Sequence, residues 1–310
     1  MLNNIITNIK KVKLKPFFNN KNRKAEGKIC DGIFYKVEKD GKYFYVGGSI
    51  HIGKSSSIQF NELVEKAFEE STKLAVEIDN TKIKNFIGLI KEIKNISLNE
   101  AELEEKEQEL DFSLEEKKNK FENLCKDLGL NSKKYSKISP DKFYVVAERK
   151  LIKNAGYRSK FGIDNIFIER AKKSKKEIVS LESPDIQLGA FVAAIKMSPE
   201  CLSKHPKEMG TLESLEESIE ELSSTHDAIF EGDISKLVNE ILIYNPINER
   251  DKENLNKFLY HRNEMMVDNI ENFIESGEIC FAVVGAAHVI GKGGILKLFK
   301  DKGYTITRLK

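Results

Sequence analysis

Short apolar runs, rich in aromatic and β-branched residues, punctuate the chain and set its element order. Ile33-Phe34-Tyr35-Lys36-Val37 and Tyr43-Phe44-Tyr45-Val46 read as strands. Lys39-Asp40-Gly41-Lys42 lies between them, and Asp-Gly between two such runs is a hairpin signal. Phe60, Leu63, Val64, Ala67 and Phe68 recur at helical spacing, which predicts a helix from about Asn61 to Glu70 with all five on one face. Lys73 to Asp79 then reads as a strand ending in two acids. Helical patterns cover 82–130, then 141–154 after Pro140, with Gly156 as a stop. Phe161-Gly162-Ile163-Asp164 opens a further helix to Lys173, and Ile178-Val179-Ser180-Leu181-Glu182 is a short strand, again closed by an acid. Helices broken at Pro199, Pro206 and Gly232 fill 184–245, and one long helix spans Lys252 to Glu275. A strand over 279–284, a helix over 294–302 and a strand over 304–307 close the chain. Strands alternating with helices predict an α/β fold, with a mixed central sheet flanked by helices.

Charge changes this picture at two places. Residues 1–27 are basic and Asn-rich, which predicts a flexible arm ahead of one domain over 28–310. Residues 97–138 are so rich in Glu and Lys that they predict a solvated helical insertion or cap, held by a thin stripe of Leu103, Leu110, Leu114, Phe121 and Leu124. Elsewhere the charges cancel: Lys+Arg 51 against Asp+Glu 49 gives no global attraction for nucleic acid or an anionic membrane. The four cysteines are scattered with no C-x-x-C, so neither a disulfide framework nor a zinc knuckle is predicted. The first residues lack the apolar core of a signal peptide, and no stretch reaches the ~20 apolar residues of a membrane span. A cytoplasmic protein acting on a peptide or small-molecule substrate is the expectation.

The chemistry concentrates at strand ends. Gly48-Ser49-Ile50-His51 follows the second strand, and Gly285-Ala286-Ala287-His288 follows the strand over 279–284. Imidazole is a common metal ligand and general base, and Gly48 and Gly285 leave room for a substrate to approach the backbone. Glu77, Asp79 and Glu182 also close apolar runs, where a carboxylate needs a partner or a metal. Open α/β sheets place ligands at such strand ends. Two histidines with glutamates suit Zn²⁺ or Mn²⁺. Arg262 and Asn263 sit on the long helix with Met265, Met266 and Ile270, a setting from which Arg262 could grip a substrate carboxylate or an oxyanion. His205, His226 and His261 lack the glycine-preceded setting; His205 and His226 are expected to be exposed, the latter where a helix ends.

Together these pieces resemble the TraB/PrgY/GumN family, which includes the Tiki metalloproteases. The resemblance is carried by Val46-Gly47-Gly48-Ser49-Ile50-His51-Ile52-Gly53, by Val64 to Ser71 leading into Val76-Glu77-Ile78-Asp79, by Gly162-Ile163-Asp164, Leu181-Glu182 and Arg262-Asn263-Glu264-Met265, and by Val283 to Ile295. It runs in family order over roughly residues 30 to 310, with serine in the first motif where threonine is more usual. The resemblance implies an α/β fold like that of the erythromycin esterases and one site built from both histidine motifs. It implies His51, His288 and Glu182 as ligands of a divalent metal (Mn²⁺, Co²⁺ or Zn²⁺). Glu77, Arg262 and Asn263 would be catalytic, with Gly48, Gly285 and Asp79 against the substrate. The implied activity is hydrolysis of a peptide by metal-activated water. A metal-independent histidine/glutamate hydrolase and a peptide-sequestering protein are the alternatives.

Overall fold

A computed structural model describes residues 29–54, 58–79, 115–138, 140–198, 201 and 212–310. The arm over 1–27, most of the helical pattern after Lys82, Leu103, Leu110, Leu114, Pro199, His205 and Pro206 lie outside these residues. The strands are β1 (Ile29–Cys30), β2 (Ile33–Lys39), β3 (Lys42–Ser49), β4 (Gln59–Phe60), β5 (Lys73–Val76), β6 (Glu177–Ser180), β7 (Cys280–Gly285) and β8 (Thr305–Arg308). The helices used below are α1 (Glu62–Glu70), α2 (Glu115–Leu128), α3 (Pro140–Asn154), α4 (Ile163–Ser174), α5 (Pro184–Lys196), α6 (Leu212–Glu231), α7 (Glu249–Leu255), α8 (His261–Glu275), α9 (Ala286–Val289) and α10 (Ile295–Asp301).

The chain divides into two compact units. The larger is a mixed α/β unit around a six-stranded sheet of order β6-β5-β7-β3-β2-β8. β2 and β3 form the hairpin read from the sequence; Asp40 and Gly41 both have positive φ, at 51° and 78°, as a two-residue I′ turn requires. β3, β7, β5 and β6 run parallel, so their carboxyl ends share one edge. The parallel strands are apolar throughout where both faces are covered: β7 buries Cys280, Phe281, Ala282, Val283 and Val284. Phe281 and Phe34 meet Phe68 of α1 and Phe167 of α4 on one face, the Phe167–Phe281 centroids standing 4.8 Å apart. On the other face Phe44 meets Phe299 of α10, and α8 crosses β3 and β7 on Met266, Val267 and Ile270.

α1 begins where Asn61 caps it, its side chain accepting from the Val64 amide at 3.1 Å. Val64, Ala67 and Phe68 are buried as read, but Leu63 is 47% exposed. Its neighbours at i+1, i+4 and i+5 fill the stripe, and Leu63 falls one position outside it. β5 stops at Val76, so Glu77 and Asp79 lie in the bend after the strand rather than within it. The long helix starts earlier than read, at Glu249 behind the Asn248 cap, and it is interrupted. Residues Asn256–Tyr260 form a π-turn between α7 and α8. A second π-turn covers Leu237–Ile241. His226 lies inside α6 rather than at its end, half-buried and stacked on Phe230 at 5.9 Å.

The described residues of the smaller unit are mainly helical. Its described core joins Phe121, Leu124, Cys125 and Leu128 of α2 to Phe143, Ala147 and Leu151 of α3 and to Leu215 and Ile219 of α6. The described part of the charged run, 115–138, therefore contributes one wall of a packed helical core whose other described walls come from later sequence. All four cysteines are buried and unpaired. Among the described residues no helix is long and apolar enough to cross a membrane.

Candidate active site

Parallel register brings the motifs together. Ser49 pairs Gly285 across β3 and β7, Val76 pairs Val283 across β5 and β7, and Val76 pairs Ser180 across β5 and β6. His51, His288, Glu77 and Glu182 each follow within three residues of those strand ends. They form a row along the carboxyl edge, where α/β sheets place ligands.

Glu77 is at the centre. Its Oε1 accepts from the Gly285 amide at 2.6 Å and stands 4.0 Å from His51 Nε2 and 3.9 Å from His288 Nε2. Its Oε2 accepts from Arg262 Nη2 at 3.0 Å and Gln187 Nε2 at 3.4 Å. Burial alone would raise this carboxyl; the charges of His288, His51 and Arg262 and the Gly285 amide outweigh it and bring the pKa down to about 2. Gly285 sits close against the site: a Cβ there would crowd Glu77 Oε1 at 3.2 Å and touch both His51 Nε2 and His288 Cδ2 at 3.6 Å. Twice that last distance bounds the separation of the two imidazoles.

Each histidine is oriented from behind. Asn263, fully buried, donates its amide nitrogen to the Gly293 carbonyl at 2.7 Å, so its oxygen must accept from His288 Nδ1 at 2.6 Å. That leaves the lone pair of His288 on Nε2, facing Glu77. Burial pushes His288 down to about 4, against the pull of Glu77, so it is neutral at physiological pH. His51 Nδ1 lies 3.2 Å from Asp164 Oδ2. Asp164 is itself fixed by Ser49, whose Oγ donates to Oδ1 at 2.9 Å and accepts from the Asp164 amide at 3.0 Å. The hydrogen bond to Asp164 raises His51 to about 9, with burial opposing and the charge of Glu77 adding. The His51 ring nevertheless keeps 61% of its surface exposed and forms the open rim, whereas His288 is buried. Asp164 is the residue that sequence reasoning placed in a motif without a role. Locally it reads as an acid in the first turn of α4.

Arg262 holds the carboxylates. Its Nε lies 3.0 Å and 3.2 Å from the Glu182 oxygens, Nη2 lies 2.9 Å from Glu182 Oε1, and Nη1 donates to the Phe258 carbonyl at 2.9 Å. Phe258 is in the π-turn just before α8, and on α8 Arg262 and Asn263 share the buried stripe with Met266, Val267 and Ile270. Burial raises Glu182 to about 7 despite the opposing charge of Arg262. The remaining expected positions divide. Asp79 is buried and its amide donates to Ser180 Oγ at 2.9 Å. Gly48 is packed inside the sheet, where a Cβ would meet Ile33 at 2.1 Å and Ala286 at 3.1 Å. His261 is exposed beside Glu264.

The donor set fits a divalent cation. Glu77, Glu182 and His288, all buried, each bring a ligand atom within 4.8 Å of the others. His51 stands outside that group, its Nε2 reaching Glu77 from the rim at 4.0 Å. The tighter argument is chemical: an unprotonated Nε2 and a carboxylate oxygen face each other across 3.9 Å, two acceptors with no donor between them. A metal bonded to both at about 2.0–2.2 Å closes such a gap. Asn263 and Asp164 supply the outer hydrogen bonds that metal-binding histidines usually have. Glu182 fits less well, because Arg262 engages both its oxygens.

A family model, that of the TraB/PrgY/gumN family, matches residues 33–308, nearly the whole chain. No curated protein and no solved structure matches it.

Proposed function

From its membership of the TraB/PrgY/gumN family, we propose that this chain is a divalent-metal-dependent hydrolase that cleaves amide bonds in a peptide. The observation that carries the reading is the convergence of His288 Nε2 and His51 Nε2 on Glu77 Oε1, at 3.9 Å and 4.0 Å. Glu77 and His288 would hold the ion, joined by His51 once the metal displaces the proton that Asp164 and Glu77 otherwise favour on it, and Mn²⁺, Co²⁺ and Zn²⁺ all accept this mixed set. A bound ion of this kind lowers the pKa of its water and polarises a carbonyl.

The protein's own groups do the rest. The Gly285 amide and Arg262 keep Glu77 ionised and aimed. Asn263 keeps the His288 proton on Nδ1. Glu77, held near 2, is too weak a base to take up the water's proton, and Glu182, both of whose oxygens Arg262 engages, stands behind it as a positioning carboxyl. Arg262 has its donors committed inside the site, so its role is to position the carboxylates rather than to grip substrate. A second reading rests on the His51–Asp164 pair, an exposed imidazole oriented by a carboxylate. Such a pair serves a metal-free hydrolase equally well.

Metal titration by calorimetry separates the two. Chelator-stripped protein should take up one Mn²⁺, Co²⁺ or Zn²⁺ ion, and His288→Ala and Glu77→Gln should lose that uptake and the hydrolysis of a peptide library. Uptake undiminished in both variants would refute the metal site. Hydrolysis persisting in stripped protein would favour the His51–Asp164 reading.

A further inference from the structure

Surface helices ordinarily hide an apolar stripe and show a polar one, and α5 does not. Between Asp185 near its start and Lys196 at its end it carries no charged residue. Ala190 and Ala193 make its buried face, with Met197 just beyond. The opposite face is Leu188, Phe191, Val192 and Ile195, at the i, i+3, i+4, i+7 spacing of a core-facing stripe. Yet Phe191 is 36% exposed and Ile195 43%, with Leu188 and Val192 half-buried.

The stripe begins at the active site. Gln187 donates to Glu77 Oε2 at 3.4 Å. Phe191 and Ile195 follow it one and two turns later, and residues four apart share a row. Gln187, Phe191 and Ile195 therefore form a track from the central carboxylate onto open surface. At 1.5 Å per residue it is about 12 Å long, enough for three to four residues of extended chain.

We propose that α5 is the docking rail for the substrate, taking a short, extended, uncharged segment with apolar side chains and leading its backbone to Glu77. An exposed apolar stripe marks a binding surface. The absence of charge along it argues against an occupant recognised by ion pairs. Continuity with Glu77 favours an occupant that reaches the site, which a peptide does and a second copy of the chain need not. The inference rests on the reading of the site as acting on peptides and names the substrate class.

The test uses the full chain, stripped with chelator so that turnover does not interfere. The probe is a short fluorescein-labelled peptide with Leu, Phe, Val and Ile at alternate positions, read by anisotropy beside a peptide of equal length bearing Ser, Glu and Lys there. The apolar peptide should bind and the polar one should not. Phe191→Asp with Ile195→Asp should weaken binding roughly tenfold or more, the scale of two lost apolar contacts. Phe191→Ser with Ile195→Thr should act in the same direction with less risk to folding, checked by circular dichroism. Metal uptake at Glu77 and His288 should be unchanged in both. Wild-type binding by both double variants would overturn the proposal. So would a wild type that self-associates in sedimentation and becomes monomeric in the variants without loss of peptide binding. If no metal binds but the peptide still depends on Phe191 and Ile195, the rail stands and the metal reading falls.

Discussion

Replacing Arg262 by methionine tests the arrangement of the site at its hinge. Arg262 is 4% exposed and its guanidinium is the cation shared by Glu77 and Glu182, which are 8% and 6% exposed. Methionine keeps much of the length and all of the apolar stem but leaves two buried carboxyls and the Phe258 carbonyl without their donor. Breaking a buried ion pair by removing one partner costs about 3–5 kcal/mol. At roughly 2–4 °C per kcal/mol for a unit of this size, the thermal midpoint should fall by about 6–20 °C, followed by circular dichroism. Adding Glu182→Gln removes one orphaned charge, so the double variant should recover part of the loss at pH 8. A loss below about 1 kcal/mol in the single variant would refute the reasoning, because orphaned buried charges cannot be that cheap. So would strictly additive losses in the double variant, since groups in one ion-pair network are coupled.

Two further outcomes follow from the same geometry. Glu182 has a folded pKa raised to about 7 above its ordinary 4.5, so its contribution to stability is fully present below 4.5 and is lost as pH rises through 7. Glu182→Gln mimics the protonated form; its melting point should match wild type most closely near pH 5 and gain on it at pH 8, and a pH-independent difference would contradict the raised pKa. Gly285→Ala places a methyl group 3.2 Å from Glu77 Oε1 and 3.6 Å from both histidine rings. Glu77 must then give by a few tenths of an ångström, so metal uptake and hydrolysis should weaken in a protein that still folds, and full activity would show that the reacting groups lie elsewhere.

Much of this was legible because local chemistry and the final fold agree. The Asp40-Gly41 turn, the Asn61 cap and the apolar run of β7 each specify their element without outside help. The two Gly-x-x-His motifs were legible as one site because strand ends in a parallel sheet share an edge. What the sequence hid depends on distant partners. Leu63 is as apolar as its neighbours, and only the packed stripe decides that it faces out. The π-turn before Arg262 has no propensity signal; it goes with a side chain reaching back to Phe258. Glu77 and Glu182 look alike as acids after apolar runs. Their opposite pKa shifts arise from where Arg262, His51 and His288 arrive. Asp164 hid in a helix's first turn, where acids are common for the dipole alone.

The central pair β3–β7 has a consequence for how the protein comes into being. Glu77 and Gly285 are 208 positions apart in the chain. At about 5–20 residues per second, a ribosome needs roughly 10–40 s between making one and making the other. Throughout that interval β3 and β5 lack the strand that separates them in the sheet, and His51 has no counterpart. A nascent or truncated chain thus holds the residues of the His51–Asp164 and Glu77–Arg262 pairs but neither the Gly285 amide nor His288 that complete the centre. The assembled site, on this architecture, arrives only with β7 and the turn after it, and is withheld from every fragment that stops short of His288.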